Sequence, residues 1–408
     1  MHVTLSRSEL PRSDEAQLLY LLVELPTGDA APTPLPLNLC LLIDRSSSMR
    51  GERLTRAKEA ASLMVERLGQ LDTFSLVTFN DRPEVTIAAQ RVVDRAALQR
   101  AISQIGPAGG TELAAGMAGA AQELLRPVTD GVGRMILLTD GRTYGDEDRC
   151  VEIARYLQAR GIGLTALGLG YEWNEDLLET LAAGTNSKAQ YLTSSDQILG
   201  VFGDEIKRAQ SIVARGVRLA IDVRPGATIR SLDRVRPFIA PVTLDGARDS
   251  RASAELGDFT AHESPALLLE LVVPGGLGGE QALLRLTLAY QHAGAEQHAE
   301  AIVSVFFGDE RIPVAVIAPQ VKGWLERLVA YRLQAVAWKN VETGLLDQAS
   351  QRLKMASTRL FSVGQIELAR TVEEEARRLE RAGSVSEEGR KRIRFGTRGL
   401  IDRGGDEP

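Results

Sequence analysis

The chain has 408 residues, with 48 Lys and Arg against 54 Asp and Glu for a formal charge of -6, and 44% of it is hydrophobic. That length exceeds one hydrophobic core and predicts two or three domains, while the acidic balance argues against broad nucleic-acid binding. With no apolar run of about 18 residues and no basic segment leading into an apolar one, neither membrane insertion nor a signal peptide is expected.

Val3 to Ser6 and Leu18 to Leu25 read as strands, and the proline-rich segment Pro26 to Pro36 as an irregular connector. Leu39 to Ile43 is short and apolar throughout, the pattern of a buried strand. It ends in Asp44-Arg45-Ser46-Ser47-Ser48, which puts oxygen-bearing side chains at alternate positions of one turn. Arg53 to Leu68 has helical spacing, Phe74 to Phe79 and Glu84 to Gln90 are strands joined by a turn, and Asp94 caps a helix running to Ile105. The loop Gly106 to Thr111 leads into an alanine-rich helix, Glu112 to Leu125. Arg134 to Thr139 is again a strand ending in an acid, Asp140. A helix from Asp146 to about Arg160, a strand Ile162 to Leu169, a helix Glu175 to Ala183, a strand Ala189 to Leu192 and a helix Ser195 to Gln210 follow. Strands alternating with helices predict an α/β, doubly wound, mostly parallel sheet, whose ligands bind at the carboxyl ends of the strands. Cys40 and Cys150 fall within apolar elements and read as core thiols of a reducing cytoplasm.

After Val213 the period changes to that of short strands: Val217 to Val223, Phe238 to Leu244, Ala254 to Phe259, Ala266 to Val273, Ala282 to Tyr290 and His298 to Phe307. These predict an antiparallel β-sandwich. The expected division is residues 1–36 as strands joining that sandwich, 37–211 as the α/β domain inserted into it, 212–315 as the sandwich, 316–383 as a small helical bundle of three helices, and 384–408 as a disordered tail. Leu328, Tyr331, Leu345, Leu353, Leu360 and Leu368 recur at helical spacing, as the core of the bundle or as a groove for a partner. The acids and bases interleaved from Glu373 to Arg394 read as a solvated face.

Asp44, Ser46, Ser48, Thr111 and Asp140 come from three loops at one edge of one sheet. By itself Asp44 to Ser48 is also a plausible helix cap. Carboxylates and hydroxyls together are a donor set for a hard cation. The pattern D-x-S-x-S, then a threonine, then T-D-G resembles the metal-ion-dependent adhesion site of von Willebrand factor A domains, over residues 37 to 210. The resemblance implies a Rossmann-like sheet and a Mg²⁺ ion, with Mn²⁺ or Ca²⁺ as substitutes. It also implies that Ser46 and Ser48 are direct ligands, that Asp44 and Asp140 act mainly through water, and that Thr111 joins in the ligand-engaged form. A partner protein would complete the shell with an Asp or Glu carboxylate.

Thr143 and Tyr144 follow Asp140, and Glu172, Trp173 and Asn174 follow the neighbouring strand, so these five are expected to form a partner-binding rim. Trp173 reads equally as an interface anchor or as a cap over the core. There is no phosphate-binding loop, and Gly161-Ile162-Gly163 and Gly168-Leu169-Gly170 lack the rest of a dinucleotide fingerprint. The only histidines, His2, His262, His292 and His298, are distant in sequence from the acids. The sequence therefore reads as a non-catalytic, Mg²⁺-dependent protein-interaction module of the cytoplasm, a scaffold or adaptor, and not an enzyme. The resemblance allows a MoxR-type AAA+ ATPase system as partner. A metal-dependent hydrolase on the same edge and an exported adhesin are the alternatives.

Overall fold

The apolar run that ends at Asp44 lies in the middle of a six-stranded sheet. The computed structural model describes residues 1–25, 35–126, 131–183, 187–246, 250–261, 263–292, 294–308 and 317–399. Most of the proline-rich connector, the expected boundary at 315 and the end of the tail lie outside them. Three strands open the chain: β1 (His2–Leu5), β2 (Glu9–Pro11) and β3 (Gln17–Glu24). Next come β4 (Leu37–Asp44), α1 (Glu52–Arg67), β5 (Thr73–Phe79), β6 (Pro83–Arg91), α2 (Arg95–Ser103), α3 (Leu113–Leu124), β7 (Val132–Thr139), α4 (Glu147–Gln158), β8 (Gly163–Leu169), α5 (Glu175–Ala183), β9 (Ala189–Leu192) and α6 (Gln197–Gln210). The strands β10 (Ile212–Val223), β11 (Thr228–Arg236), β12 (Ala240–Pro241), β13 (Arg251–Thr260), β14 (Ala266–Val273), β15 (Gly279–His292) and β16 (Ala295–Gly308) follow. The helices α7 (Pro319–Glu342), α8 (Leu346–Ser362), α9 (Ile366–Ala382) and α10 (Glu387–Arg398) complete the described elements.

The chain divides into two compact units, Ala30–Val213 and a second made of Met1–Asp29 with Ala214–Pro408. In the first, the sheet order is β6-β5-β4-β7-β8-β9. All pairings are parallel except β5 with β6. Strand β4 is buried at every position, because it is central and has helices over both faces. Leu54, Ala57, Ala61, Met64 and Val65 give α1 one apolar stripe against the sheet. Parallel strands all point the same way, so the segments following β4, β7 and β8 emerge at one edge.

In the second unit two sheets face one another, β1-β3-β14-β11-β12 and β13-β10-β15-β16-β2. The pairings β1–β3, β3–β14, β14–β11, β11–β12, β10–β15 and β15–β16 are antiparallel, and β16 with β2 is parallel. Strand β14 reads ALLLELVV, with no alternation, because both its faces are covered. One covers the sandwich core; on the other, Ala266 and Leu268 pack with Val321, Trp324 and Leu328 of α7.

Three expectations fail here. Strand β11 was not foreseen, because Arg230, Asp233, Arg234 and Arg236 break its apolar pattern. Its acid is neutralised from outside: Arg332 of α7 donates to Asp233 Oδ2 at 2.6 Å and to Ser231 Oγ at 2.7 Å. Phe238 to Leu244 is a strand only at Ala240–Pro241. The expected disordered tail contains a fourth helix, α10. Ser386 caps it through its hydroxyl, which accepts from Gly389 N, and the buried Glu375 accepts from Ser386 N at 2.8 Å. Ile393 and the stem of Lys391 are buried, so its charged sequence hides an inward face.

Candidate functional site

At the end of β4 the chain leaves the sheet through Arg45 and a single 3-10 turn, Ser47–Met49. Asp44 is fully buried. Its Oδ1 accepts from Ser46 N at 2.8 Å, and its Oδ2 accepts the Thr139 hydroxyl at 2.7 Å. Burial pushes the Asp44 carboxyl up to about 6, against the hydrogen bonds from Thr139 and Ser46 that pull it down. The Ser46 and Ser48 hydroxyl oxygens are 2.9 Å apart, and the Ser48 hydroxyl donates to Asp140 Oδ1 at 2.7 Å. The second oxygen of Asp140 accepts from Arg53 Nη1 at 2.5 Å. The structure thus joins Asp44, Ser46, Ser48 and Asp140 in one continuous hydrogen-bonded chain.

Thr111 arrives on a loop that is held from two sides. Ser47 N donates to Gly109 O at 3.1 Å and Ala108 N to Arg45 O at 2.7 Å. From the other side, Asp81 Oδ1 accepts from Gly110 N at 2.9 Å and Asn80 O from Glu112 N at 2.7 Å. A Cβ on Gly109 would overlap Asp81 and Asn80, so only glycine allows this approach. A Cβ on Gly141 would lie 3.3 Å from Thr111 Oγ1 and 3.9 Å from Asp44 Oδ2. The threonine hydroxyl and the Asp44 carboxylate therefore flank the same bare stretch of backbone. A small cleft there is lined by Thr111, Thr139, Gly141, Thr143 and Asn174.

The five residues expected as a rim divide. Tyr144 is 82% exposed and Glu172 is also exposed. Thr143 is buried and braces the loop: its hydroxyl donates to Asp146 Oδ1 at 2.6 Å, while Asp146 Oδ2 accepts from Ala114 N at 2.8 Å. Trp173 is fully buried, with its Nε1 donating to Gly170 O at 2.7 Å, so of its two readings the core cap is the one the structure displays. Asn174, half-buried, accepts from Leu177 N at 3.1 Å at the start of α5. Thr143 and Trp173 thus present almost no surface of their own at this edge.

Asp81 and Arg53 were not singled out from sequence, and Thr139 entered only as the first residue of T-D-G, with no role of its own. Thr139 precedes Asp140 at a strand end, a position that could have signalled it; Asp81 and Arg53 carried no comparable mark. Among the described residues no group of three or more His, Cys, Asp or Glu is placed to hold a metal ion. The acids within the hydrogen-bonded chain are two, Asp44 and Asp140, supplemented by hydroxyls.

Residues 38–203 match the family model of the von Willebrand factor type A domain. Residues 319–403 match that of the Sll0103-like, C-terminal alpha-helical domain. The α/β unit is therefore a von Willebrand factor type A domain, followed later in the chain by a four-helix, Sll0103-like domain. Over 369 residues the chain is 27% identical to uncharacterized protein sll0103 of Synechocystis sp., covering 88% of this chain and 87% of that protein. It is 25% identical over 266 residues to uncharacterized protein YfbK of Escherichia coli, covering 64% of this chain but only 46% of that protein. The fold is shared with a von Willebrand factor type A structure from Catenulispora acidiphila, at a TM-score of 0.79 and 18% identity over 98% of this chain and 96% of that one. It is also shared with the ArnB paralog VWA2 from Sulfolobus acidocaldarius, at a TM-score of 0.61 and 14% identity over 98% of each chain. Among the described residues no helix is long and apolar enough to cross a membrane.

Proposed function

We propose that the A domain is a non-catalytic docking module, a scaffold or adaptor, that binds Mg²⁺ through Asp44, Ser46, Ser48, Thr111 and Asp140 and takes an Asp or Glu carboxylate from a protein partner. The observation that carries this reading is the pair of serine hydroxyls, 2.9 Å apart, between two buried carboxylates. Two hydroxyls flanked by carboxylates are a hard-oxygen donor set that fits Mg²⁺, with Mn²⁺ or Ca²⁺ as substitutes. Bound there, the ion would supply an electrophilic position for an incoming carboxylate. This chain's residues would hold it with neutral hydroxyls and orient those hydroxyls through Asp44 and Asp140.

Among the described residues no histidine belongs to the α/β unit, which favours docking over hydrolysis. The described histidines, His2, His292 and His298, lie on or at the ends of strands in the other unit. The exposed side chains beside the metal position, Tyr144 and Glu172, suit contact with a protein surface. Both cysteines are free and buried, which accords with a cytoplasmic setting; a MoxR-type AAA+ ATPase system is the partner that the family resemblance allows.

The test is direct. Mn²⁺ binding is followed by electron paramagnetic resonance for the wild type, Ser48→Ala and Asp44→Ala, and capture of partner proteins is compared with and without a chelator. The reading requires Mn²⁺ binding that both substitutions abolish and capture that the chelator releases. Capture indifferent to chelator and to both substitutions would overturn it.

A further inference from the structure

Arg53 lies in the first turn of α1, and its guanidinium reaches back over the edge of the sheet. Nη1 is 2.5 Å from Asp140 Oδ2, while the other oxygen of Asp140 is held by the Ser48 hydroxyl. The Asp140 side chain is 0% exposed and that of Arg53 is 42% exposed, so the pair is buried at the acid and open at the base. On its far side the guanidinium rests against the end of β8, where a Cβ on Gly170 would lie 3.4 Å from Arg53 Nη2. It is thereby fixed in line with the ends of β7 and β8, beside the donors derived above. A guanidinium does not lose its proton in a protein, so this positive charge is permanent.

We infer that Arg53 is a built-in counter-cation to Asp140, which holds down the affinity of the site for a divalent ion until an acidic ligand adds its own charge. The inference rests on the metal-docking reading. Of the groups that touch the donor set, two carboxylates and one guanidinium sum to one net negative charge facing an ion of charge two. An arriving carboxylate restores neutrality. Without Arg53 the edge would already balance the ion, and the ligand would add less. Arg53 thus makes ion and ligand depend on one another, which suits a surface meant to engage only when a partner is present.

The experiment is Mn²⁺ titration of the full chain, by paramagnetic resonance and calorimetry, for the wild type, Arg53→Gln and Arg53→Lys, each at low and high salt and with or without acetate. Arg53→Gln is expected to bind Mn²⁺ about 5–10-fold more tightly at low salt, with the gain shrinking at high salt as charge is screened. Arg53→Lys, which keeps the charge, stays within about twofold of wild type. Acetate tightens Mn²⁺ binding more in wild type than in Arg53→Gln. Equal or weaker Mn²⁺ binding by Arg53→Gln overturns the inference alone, as does an equal response to acetate. Failure of the wild type and Arg53→Gln alike to bind Mn²⁺ overturns the docking reading together with it.

Discussion

The Thr139 hydroxyl donates to Asp44 Oδ2 at 2.7 Å, tying together the ends of two neighbouring parallel strands. Without it, one oxygen of a fully buried carboxylate loses its protein donor. Thr139→Val keeps the shape and deletes the donor. It should cost about 1–3 kcal/mol in urea unfolding. It should also weaken Mn²⁺ binding by about 10–100-fold, the usual effect of removing a group that orients a ligand. Thr139→Ser should restore most of both. Unchanged unfolding and unchanged Mn²⁺ affinity in Thr139→Val would show that the bond orients nothing.

Two glycines at the ends of adjacent strands should respond oppositely. A Cβ on Gly141 meets Thr111 Oγ1 at 3.3 Å, a contact that a small shift of the threonine relieves. Gly141→Ala should fold with a stability change below about 1 kcal/mol and lose Mn²⁺ affinity. A Cβ on Gly168 would overlap the buried ring of Trp173, which has nowhere to go. Gly168→Ala should lose about 1–3 kcal/mol or more. Equal thermal midpoints for the two variants would refute the contrast.

Glu205 of α6 sets an acid limit. Burial alone would raise its pKa, but the charges of Lys188 and Arg208 and the Thr165 hydroxyl outweigh burial and hold it below the usual range. Lys188 Nζ is 3.1 Å from Oε1, and Thr165 Oγ1 is 2.9 Å from Oε2. A carboxyl whose pKa falls on folding stabilises above its unfolded value, about 4.3, and that contribution is lost as pH drops through the folded value. Glu205→Gln should therefore be less stable than wild type at pH 7, by about 1–3 kcal/mol, with the gap closing below about pH 4. Urea midpoints across pH 3 to 7 measure this; a gap that widens toward acid would contradict the sign.

Arg332 joins α7 to the sheet beneath it. It bonds Asp233 and Ser231 and lies 3.4 Å from Glu270, both acids being nearly buried. Arg332→Met should cost about 1.5–3 kcal/mol, since it leaves two acids without their shared cation. Arg332→Met with Asp233→Asn should recover part of the loss. A single variant as stable as wild type in urea would mean that the apolar contacts of Trp324 and Leu328 suffice.

The loops of the candidate site were legible because each ends an apolar strand with an abrupt polar signal: Asp44 after Ile43, Thr139-Asp140 after Leu138. Elements whose charge is answered from elsewhere in the chain were not. Strand β11 resembles a loop until Arg332, about a hundred residues later, meets Asp233. Helix α10 resembles a solvated tail until Ile393 is seen against the other helices. Trp173 was ambiguous for another reason. An aromatic on a loop suits a surface or a lid equally, and only the bare backbone at Gly168 decides that it lies flat inside.

Strand β3 pairs along its length with β14, roughly 240 residues later in the chain. During synthesis the apolar segment Leu18 to Val23 leaves the ribosome long before its partner exists. At about 5–20 residues per second the wait is about 12–50 s. Over that interval the contiguous A domain has everything needed to fold, while β3 can pair only with β1 and leaves its other edge open. The edge of β3 that faces β14 thus stays open until residues 266–273 emerge, and the sandwich closes only after the A domain has been made.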